Sequence, residues 1–343
     1  MKDVSESRYF IHVESHSTWA STSGLPPNFR FDTAAVCSSV PDGVWKFRKP
    51  RRSASKCECP GRDVPRVPPI YGPTVQSRLS VSGFTWKGKL ISNPPRIAIY
   101  GIFGLSLSDS RVHQDLHFLH NLLQNFVSPI FALALSEHGS QLHIGGFHES
   151  PAIEYHRVVK SSPHQPWQIG QLRIFVDGTI VENIETVPKY RVKEFTGATI
   201  FDSSTPYIYG PASEVFNVLH AIKHAALSHD GSNPVVYVQW EGQTKWPLKL
   251  SHSFFIREVY LQNFRADGRP WHKYAQIFKS NPDLKNWVFG TDFMEFHYLV
   301  HIATEDPQMG IGQWSPVSHA NAPENIPQRP PPPHDETGRR PND

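Results

Sequence analysis

Residue Asp202 stands where a carboxylate could carry out acid–base chemistry. An apolar run before it predicts a strand that ends at this aspartate, and the hydroxyl residues Ser203, Ser204 and Thr205 follow. A carboxylate at the end of a rigid strand, beside side chains that can hydrogen-bond it, is typical of a catalytic aspartate. The alternative interpretation is a carboxylate that only stabilises a turn.

Three histidines have the spacing of a possible metal site. His113, His117 and His120 fall at positions i, i+4 and i+7 of a predicted helix, which would place three imidazoles near one face. No glutamate of a His-Glu-x-x-His motif accompanies them, and a solvated helix face is the preferred interpretation. The chain also has no phosphate-binding loop, dinucleotide glycine pattern or Cys-x-x-Cys pair. We therefore predict no metal and no cofactor.

Composition excludes several classes of function. The 343 residues carry a net charge of +3, which gives no polyelectrolyte signal for nucleic acid. No run reaches the roughly 18 apolar residues of a membrane span. The chain is therefore predicted to bind neither nucleic acid nor membranes. As a separate prediction, it is a monomer.

Alternating apolar runs predict an all-β protein. Residues 41–69 are basic and proline-rich and predict a loop without regular structure, and residues 318–343 predict a disordered, proline-rich tail. Helical spacing occurs only over Leu116–Phe126 and Ala212–Ala226. The predicted strands lie within Arg96–Tyr100, Ser140–Ile144, Gln171–Val176, Pro234–Gln239 and Asn286–Phe289.

The order of several short motifs resembles that of the pepsin-like aspartic proteases. Their second active-site motif, apolar-apolar-Asp-Thr-Gly-Thr/Ser followed by Gly-Pro, is similar to the run from Ile200 through Pro211. Tyr71-Gly72 resembles the start of the flap hairpin, and the first motif is aligned through Trp19. The resemblance implies an all-β, bilobal fold with a central cleft, residues 1–150 forming the N-terminal lobe with the flap and residues 151–317 the C-terminal lobe with Asp202.

The resemblance also implies the site residues. Alignment on Trp19 puts His12 at the first catalytic position and Glu14 at the following glycine, while Asp202 keeps the second. The cleft and flap would then comprise Tyr71, Gly72, Glu14, Ser203, Ser204 and Thr205. One carboxylate cannot act as acid and base at once.

These assignments lead to three functional hypotheses. The first is a peptidase A1 homologue with lost or strongly reduced endopeptidase activity, whose cleft is kept for binding or altered chemistry. The second is an active aspartic-type endopeptidase that uses Asp202 with His12 or Glu14. The third is an accessory protein of a fungal small-molecule biosynthetic pathway. The expected ligand is a peptide or an extended small molecule.

Three sequence features predict a cytoplasmic location. The N-terminus has no apolar core of a signal peptide, the chain has no Asn-x-Ser/Thr acceptor, and no cysteine follows Cys59. A secreted or vacuolar protein remains the alternative if the given sequence lacks its N-terminus.

Overall fold

The computed structural model describes most of the chain between residues 2 and 313. The described residues are 2–3, 8–12, 14–15, 19–21, 28–35, 39–41, 45–47, 52–59, 62–63, 66–67, 70–81, 84–93, 101–109, 112, 114–124, 126–135, 140–147, 152–160, 164–177, 179–180, 197–228, 234–241, 244–248 and 278–313. The predicted tail, residues 318–343, lies outside them. Strands dominate these residues, which confirms the all-β prediction.

Fourteen strands are described before residue 110, the longest of them β11 and β12. They are β1 (Lys2–Asp3), β2 (Arg8–His12), β3 (Glu14–Ser15), β4 (Trp19–Ser21), β5 (Asn28–Asp32), β6 (Ser39–Pro41), β7 (Trp45–Phe47), β8 (Arg52–Cys59), β9 (Arg62–Asp63), β10 (Arg66–Val67), β11 (Ile70–Val81), β12 (Phe84–Asn93), β13 (Gly101–Gly104) and β14 (Ser108–Asp109).

The remaining strands and the helices follow in the second half. The strands are β15 (Ile130–Ala134), β16 (Gln141–Ile144), β17 (Glu154–Arg157), β18 (His164–Gln165), β19 (Gln168–Gln171), β20 (Arg173–Val176), β21 (Thr179–Ile180), β22 (Ala198–Phe201), β23 (Ile208–Pro211), β24 (Val236–Gln239), β25 (Trp246–Pro247), β26 (Phe278–Asn281), β27 (Trp287–Phe289), β28 (His297–Ile302) and β29 (Gln308–Gln313). The helices are a 3-10 turn (Gln114–Leu116), α1 (Phe118–Leu123), α2 (Ala212–Ser228) and α3 (Thr291–Met294).

Two sheets repeat one strand order. In the first sheet, neighbouring strands run β2-β5-β13-β6-β12, and in the second sheet they run β19-β22-β27-β23-β26. Both series alternate in the same way, with the first pair antiparallel, the second parallel, the third antiparallel and the fourth parallel. Corresponding strands can therefore be compared residue by residue between the two sheets.

A third sheet connects strands from both halves of the chain. Its order is β16-β15-β28-β29-β17, so strands from residues 130–157 pair with strands from residues 297–313. We call it the joining sheet. Its inner residues share one hydrophobic core with Phe103, Phe201 and Phe289 of the first two sheets.

The sequence-based elements are confirmed in part. Helix α2 covers the predicted segment, whereas the other predicted helix divides into a 3-10 turn and the short α1. Residues 41–69 were predicted to lack regular structure, and this prediction is wrong. Strand β8 within them pairs with β11 from Ile70↔Cys59 onward. The next long strand, β11, supplied hydrogen bonds that the composition of residues 41–69 does not reveal.

Two buried histidines lie in one cross-strand row of the joining sheet. The register places His301 opposite Phe131 and opposite Met309, and Met309 opposite His156. Directly paired residues share a face. His301 is 0% exposed, with its ring stacked 4.3 Å from that of Phe131 and edge-on 4.8 Å from that of Trp167. Neither ring nitrogen of either histidine makes a hydrogen bond within the described residues.

Burial disfavours the charged form of both imidazoles. It lowers the pKa of His301 from 6.5 to about 3, opposed in part by the nearby backbone of Leu299. Burial also lowers the pKa of His156, against the attraction of Glu154 and Glu241. The described aromatic and aliphatic neighbours of His301 offer no compensating charge. The folded protein therefore binds fewer protons here than the unfolded chain in mildly acidic solution.

We expect the joining sheet to lose stability in acid. The pKa of His301 is lower in the folded state than in the unfolded chain. Its contribution to stability is therefore fully present above pH 6.5 and is lost as the pH falls toward 3. The unfolding constant should rise by about tenfold per pH unit in that window through this residue alone. Thermal unfolding from pH 8 to pH 4 should show a shallower decline for His301→Phe than for the wild type.

Two further variants make this comparison decisive. The exposed His220 provides the matched control, and His220→Gln should keep the wild-type pH slope. If His301→Phe fails to fold, His156→Leu should flatten the slope instead. A decline as steep in the buried-histidine variants as in the wild type would show that other groups cause the acid sensitivity.

Candidate active site

The first half of the site is the loop at the end of strand β5. Asp32 closes that strand, and its carboxylate oxygen Oδ1 accepts hydrogen bonds from the backbone N–H groups of Ala34 (3.1 Å) and Ala35 (2.8 Å). Its backbone carbonyl accepts a hydrogen bond from the N–H of Leu105 (2.8 Å), just beyond the parallel strand β13. Asp32 is only 1% exposed, so the loop holds this carboxylate in a fixed, buried position.

The second half is the loop at the end of strand β22. Oδ1 of Asp202 accepts hydrogen bonds from the N–H (2.9 Å) and the hydroxyl (2.6 Å) of Ser204. Its Oδ2 accepts one from the hydroxyl of Thr205 (2.8 Å). The N–H of Asp202 donates to the carbonyl of Phe289 on strand β27 (3.0 Å). Asp202 is 0% exposed, and its burial is compensated by these donors.

Reciprocal hydrogen bonds join the two loops. The N–H of Thr33 donates to the hydroxyl of Ser203 (3.1 Å), and the N–H of Ser203 donates to the hydroxyl of Thr33 (2.9 Å). The Thr33 hydroxyl donates its proton to the carbonyl of Phe201 (2.8 Å). All of these groups are buried. The cross-link fixes the residues immediately after Asp32 and Asp202 against each other.

Strand register shows that Asp32 and Asp202 are equivalent. Arg30 lies opposite Phe10 in the first sheet, as Ile200 lies opposite Gln168 in the second. Asp32 comes two residues after Arg30, as Asp202 comes two residues after Ile200. The cross-linked neighbours of the two aspartates, Thr33 and Ser203, are 170 residues apart. Two carboxylates presented in this way can share one proton, so that one acts as a base while the other acts as an acid.

The assignment of the first catalytic position to His12 is corrected by this register. His12 pairs with Asn28, four residues before Asp32, which corresponds to roughly 13 Å along an extended strand. Its counterpart in the second sheet is Gln171, opposite Ala198. His12 therefore lies on the neighbouring strand β2. Asp32 occupies the position equivalent to Asp202, which the alignment on Trp19 had given to His12.

Glu14, Tyr71 and Gly72 lie on or beside strand β11. Glu14 pairs with Ser80, close to the end of β11. Tyr71 and Gly72 pair with Glu58 and Cys57 at the opposite end of β11. Tyr71 thus lies near the start of β11, the strand that pairs antiparallel with β12. Its predicted closure over a cleft stays a prediction.

Sequence reasoning missed Asp32, although a signal for it exists. The run Phe31-Asp32-Thr33 repeats the pattern of Phe201-Asp202-Ser203, apolar residue, aspartate, hydroxyl residue. Alignment on Trp19 concealed the repeat, because Trp19 belongs to strand β4 and pairs with β7. A comparison of the two aspartate runs with each other would have made Asp32 a candidate.

Close packing supports the second loop from behind. A Cβ atom at Gly290 would collide with the carbonyl oxygen of Thr205, so a glycine is required where strand β27 leaves the sheet. The N–H of Thr291 donates to that same carbonyl (2.8 Å). Nearby, burial chiefly raises the pKa of the Tyr209 hydroxyl, with Tyr207 and Asp202 adding to the effect. The surroundings of Asp202 are therefore rigid and poorly hydrated.

No metal centre is found among the residues that the structure describes. They contain no group of three or more His, Cys, Asp or Glu residues arranged to hold an ion. Of the three spaced histidines, His117 bonds the carbonyl of Val112 and His120 bonds the side chain of Gln124, while His113 lies outside the described residues. Within those same ranges, no helix is long and apolar enough to cross a membrane.

The repeated sheets and their cross-linked aspartate loops define the class of pepsin-like proteins. Sequence comparison agrees, since the eukaryotic aspartyl protease family matches residues 88–314, about two thirds of the chain. The protein belongs to the eukaryotic aspartyl protease family. The matched span includes Asp202 and begins after Asp32. A search of curated proteins gave no match.

We expect the cross-link between the loops to stabilise the fold. Thr33→Val keeps the side-chain shape but removes the hydroxyl, and it leaves the N–H of Ser203 and the carbonyl of Phe201 without this buried partner. The free energy of unfolding should fall by about 2–3 kcal/mol, which denaturant titration would measure. Thr244→Val, at an exposed threonine, is the matched control and should change stability little. Equal losses in the two variants would contradict the proposed importance of the cross-link.

Proposed function

We propose that this protein is an aspartic-type endopeptidase whose catalytic pair is Asp32 and Asp202. The observation that carries the proposal is the reciprocal hydrogen bonding of Thr33 and Ser203, which brings the two aspartate loops together. Membership of the aspartyl protease family supports a peptide as the substrate. The hypothesis of lost activity depended on His12 in place of an aspartate and on Glu14 and Ser204 in place of glycines, and Asp32 removes the first of these reasons.

The reaction requires one ionised and one protonated carboxyl group. The ionised group takes a proton from a water molecule as the water oxygen bonds to the peptide carbonyl carbon, and the protonated group gives its proton to the carbonyl oxygen. The resulting gem-diol collapses as its C–N bond breaks and the leaving nitrogen gains a proton. The pair then again holds a single shared proton.

A peptide-binding role without turnover is the second candidate. Asp32 and Asp202 are almost completely buried, and Ala34 and Ser204 stand where the family pattern has glycine. Substrate must reach the carboxylates, so these features favour binding over cleavage. A role beside a small-molecule pathway, a monomeric state and a cytoplasmic location, with the secreted or vacuolar alternative, stay predictions.

We expect Asp32→Asn and Asp202→Asn each to reduce peptide cleavage by about a hundredfold or more, because each removes one partner of the proton-sharing pair. His12→Gln should retain activity, since His12 pairs with Asn28 on strand β2. Cleavage of a denatured protein and of a mixed peptide library between pH 3 and pH 7 would measure all three variants.

The same assay separates the candidates. Loss of cleavage in His12→Gln together with retention in Asp32→Asn would restore the His12 assignment and refute the Asp32–Asp202 pair. A folded wild-type protein that binds a peptide-like transition-state analogue but cleaves nothing would favour the binding role.

A further inference from the structure

The two aspartate loops carry different hydrogen-bond donors at equivalent positions. Ser204 and Thr205 follow Asp202 at the positions that Ala34 and Ala35 occupy after Asp32. Both loops donate backbone N–H groups to their own carboxylate. Only the second loop also donates hydroxyl groups at these two positions, because alanine side chains have none. The pair is therefore chemically asymmetric.

Ser204 makes the shortest of these contacts. Its hydroxyl lies 2.6 Å from Oδ1 of Asp202 and its N–H lies 2.9 Å from the same oxygen, and the residue is buried. An O–H···O distance of about 2.5–2.7 Å is typical of a hydrogen bond to an ionised acceptor. A glycine at this position, as in the family pattern, would provide the N–H and no hydroxyl.

We propose that Ser204 is a positioning residue that holds Asp202 as the charged base of the catalytic pair, with Asp32 as its protonated acid. The proposal rests on the function proposed above. Two hydroxyl groups and one N–H group surround the Asp202 carboxylate, and such donors stabilise negative charge in a buried site. When the shared proton is on Asp32, the negative charge is on Asp202, whose carboxylate accepts the two hydroxyl hydrogen bonds.

This assignment fixes the direction of each proton transfer. Asp202 takes a proton from the attacking water as the new C–O bond forms, and Asp32 gives its proton to the carbonyl oxygen. On collapse of the gem-diol, Asp202 gives its proton to the leaving nitrogen as the C–N bond breaks, and Asp32 recovers one from the diol oxygen. No metal, oxidant or further reactant is needed.

The test compares Ser204→Ala, which removes the hydroxyl, with Ser204→Thr, which keeps one. Removal should lower kcat about tenfold with little change in KM, since the hydroxyl donates to the carboxylate of Asp202. The acidic limb of the kcat profile should move up by about one pH unit, the size expected from the loss of a hydrogen bond to a charged group. Ser204→Thr should restore both quantities in part. The exposed Ser213 supplies a matched control, Ser213→Ala.

Stability measurements provide a readout that does not need turnover. If the hydroxyl bonds a charged carboxylate, Ser204→Ala should lower the midpoint of thermal unfolding more at pH 7 than at pH 3, where carboxyl groups protonate. Ser213→Ala should show no such difference.

The possible outcomes distinguish this inference from the proposed function. A wild-type enzyme that cleaves peptides, with Ser204→Ala unchanged in kcat and in pH profile, would overturn the inference and leave the function intact. A wild-type protein that cleaves nothing would refute the function, and equal stability loss at pH 3 and pH 7 in Ser204→Ala would then also refute the role of Ser204. A tenfold loss of kcat that Ser204→Thr does not relieve would assign the effect to packing and overturn the inference.

Discussion

The reciprocal hydrogen bonds between Thr33 and Ser203 are the constraint on which the site depends. Each hydroxyl accepts from the N–H of the opposite loop, and the Thr33 hydroxyl also donates to the carbonyl of Phe201. These polar groups are buried, where an unpaired donor or acceptor would cost about 1–3 kcal/mol. The loops therefore satisfy each other's buried polar groups.

Each loop is in turn placed by a repeated pair of parallel strands. Strand β13 runs beside β5 and strand β27 beside β22, with Phe31↔Phe103 and Phe201↔Phe289 in corresponding registers. Just beyond each pair, a backbone N–H donates to the aspartate loop: Leu105, one residue after β13, bonds Asp32, and Thr291, two residues after β27, bonds Thr205. The repeat explains why the two carboxylates occupy equivalent positions. Their different neighbours, alanines in one loop and hydroxyl residues in the other, explain why they need not perform equal roles.

The joining sheet limits the pH range in which the folded protein is stable. A carboxyl pair that shares a proton is suited to acidic solution, whereas the neutral, buried His301 and His156 favour folding at higher pH. The pH range of any activity is therefore bounded by the chemistry of the loops on one side and by the stability of the joining sheet on the other. The two limits arise in separate parts of the core and can be changed by separate substitutions.

The sequence by itself determined the all-β class, the position of α2 and the aspartate loop at Asp202, because these follow from local alternation and from adjacent hydroxyl residues. It did not determine the partner of Asp202. Thr33 and Ser203 are 170 residues apart, and only the pairing of strands within each sheet shows that Asp32, rather than His12, ends the equivalent strand. Strand β8 was missed because its hydrogen bonds come from β11, outside the basic and proline-rich residues 41–69 on which the prediction was based. Local pattern specifies what a segment can form, and the tertiary structure decides which distant groups satisfy its buried polar atoms.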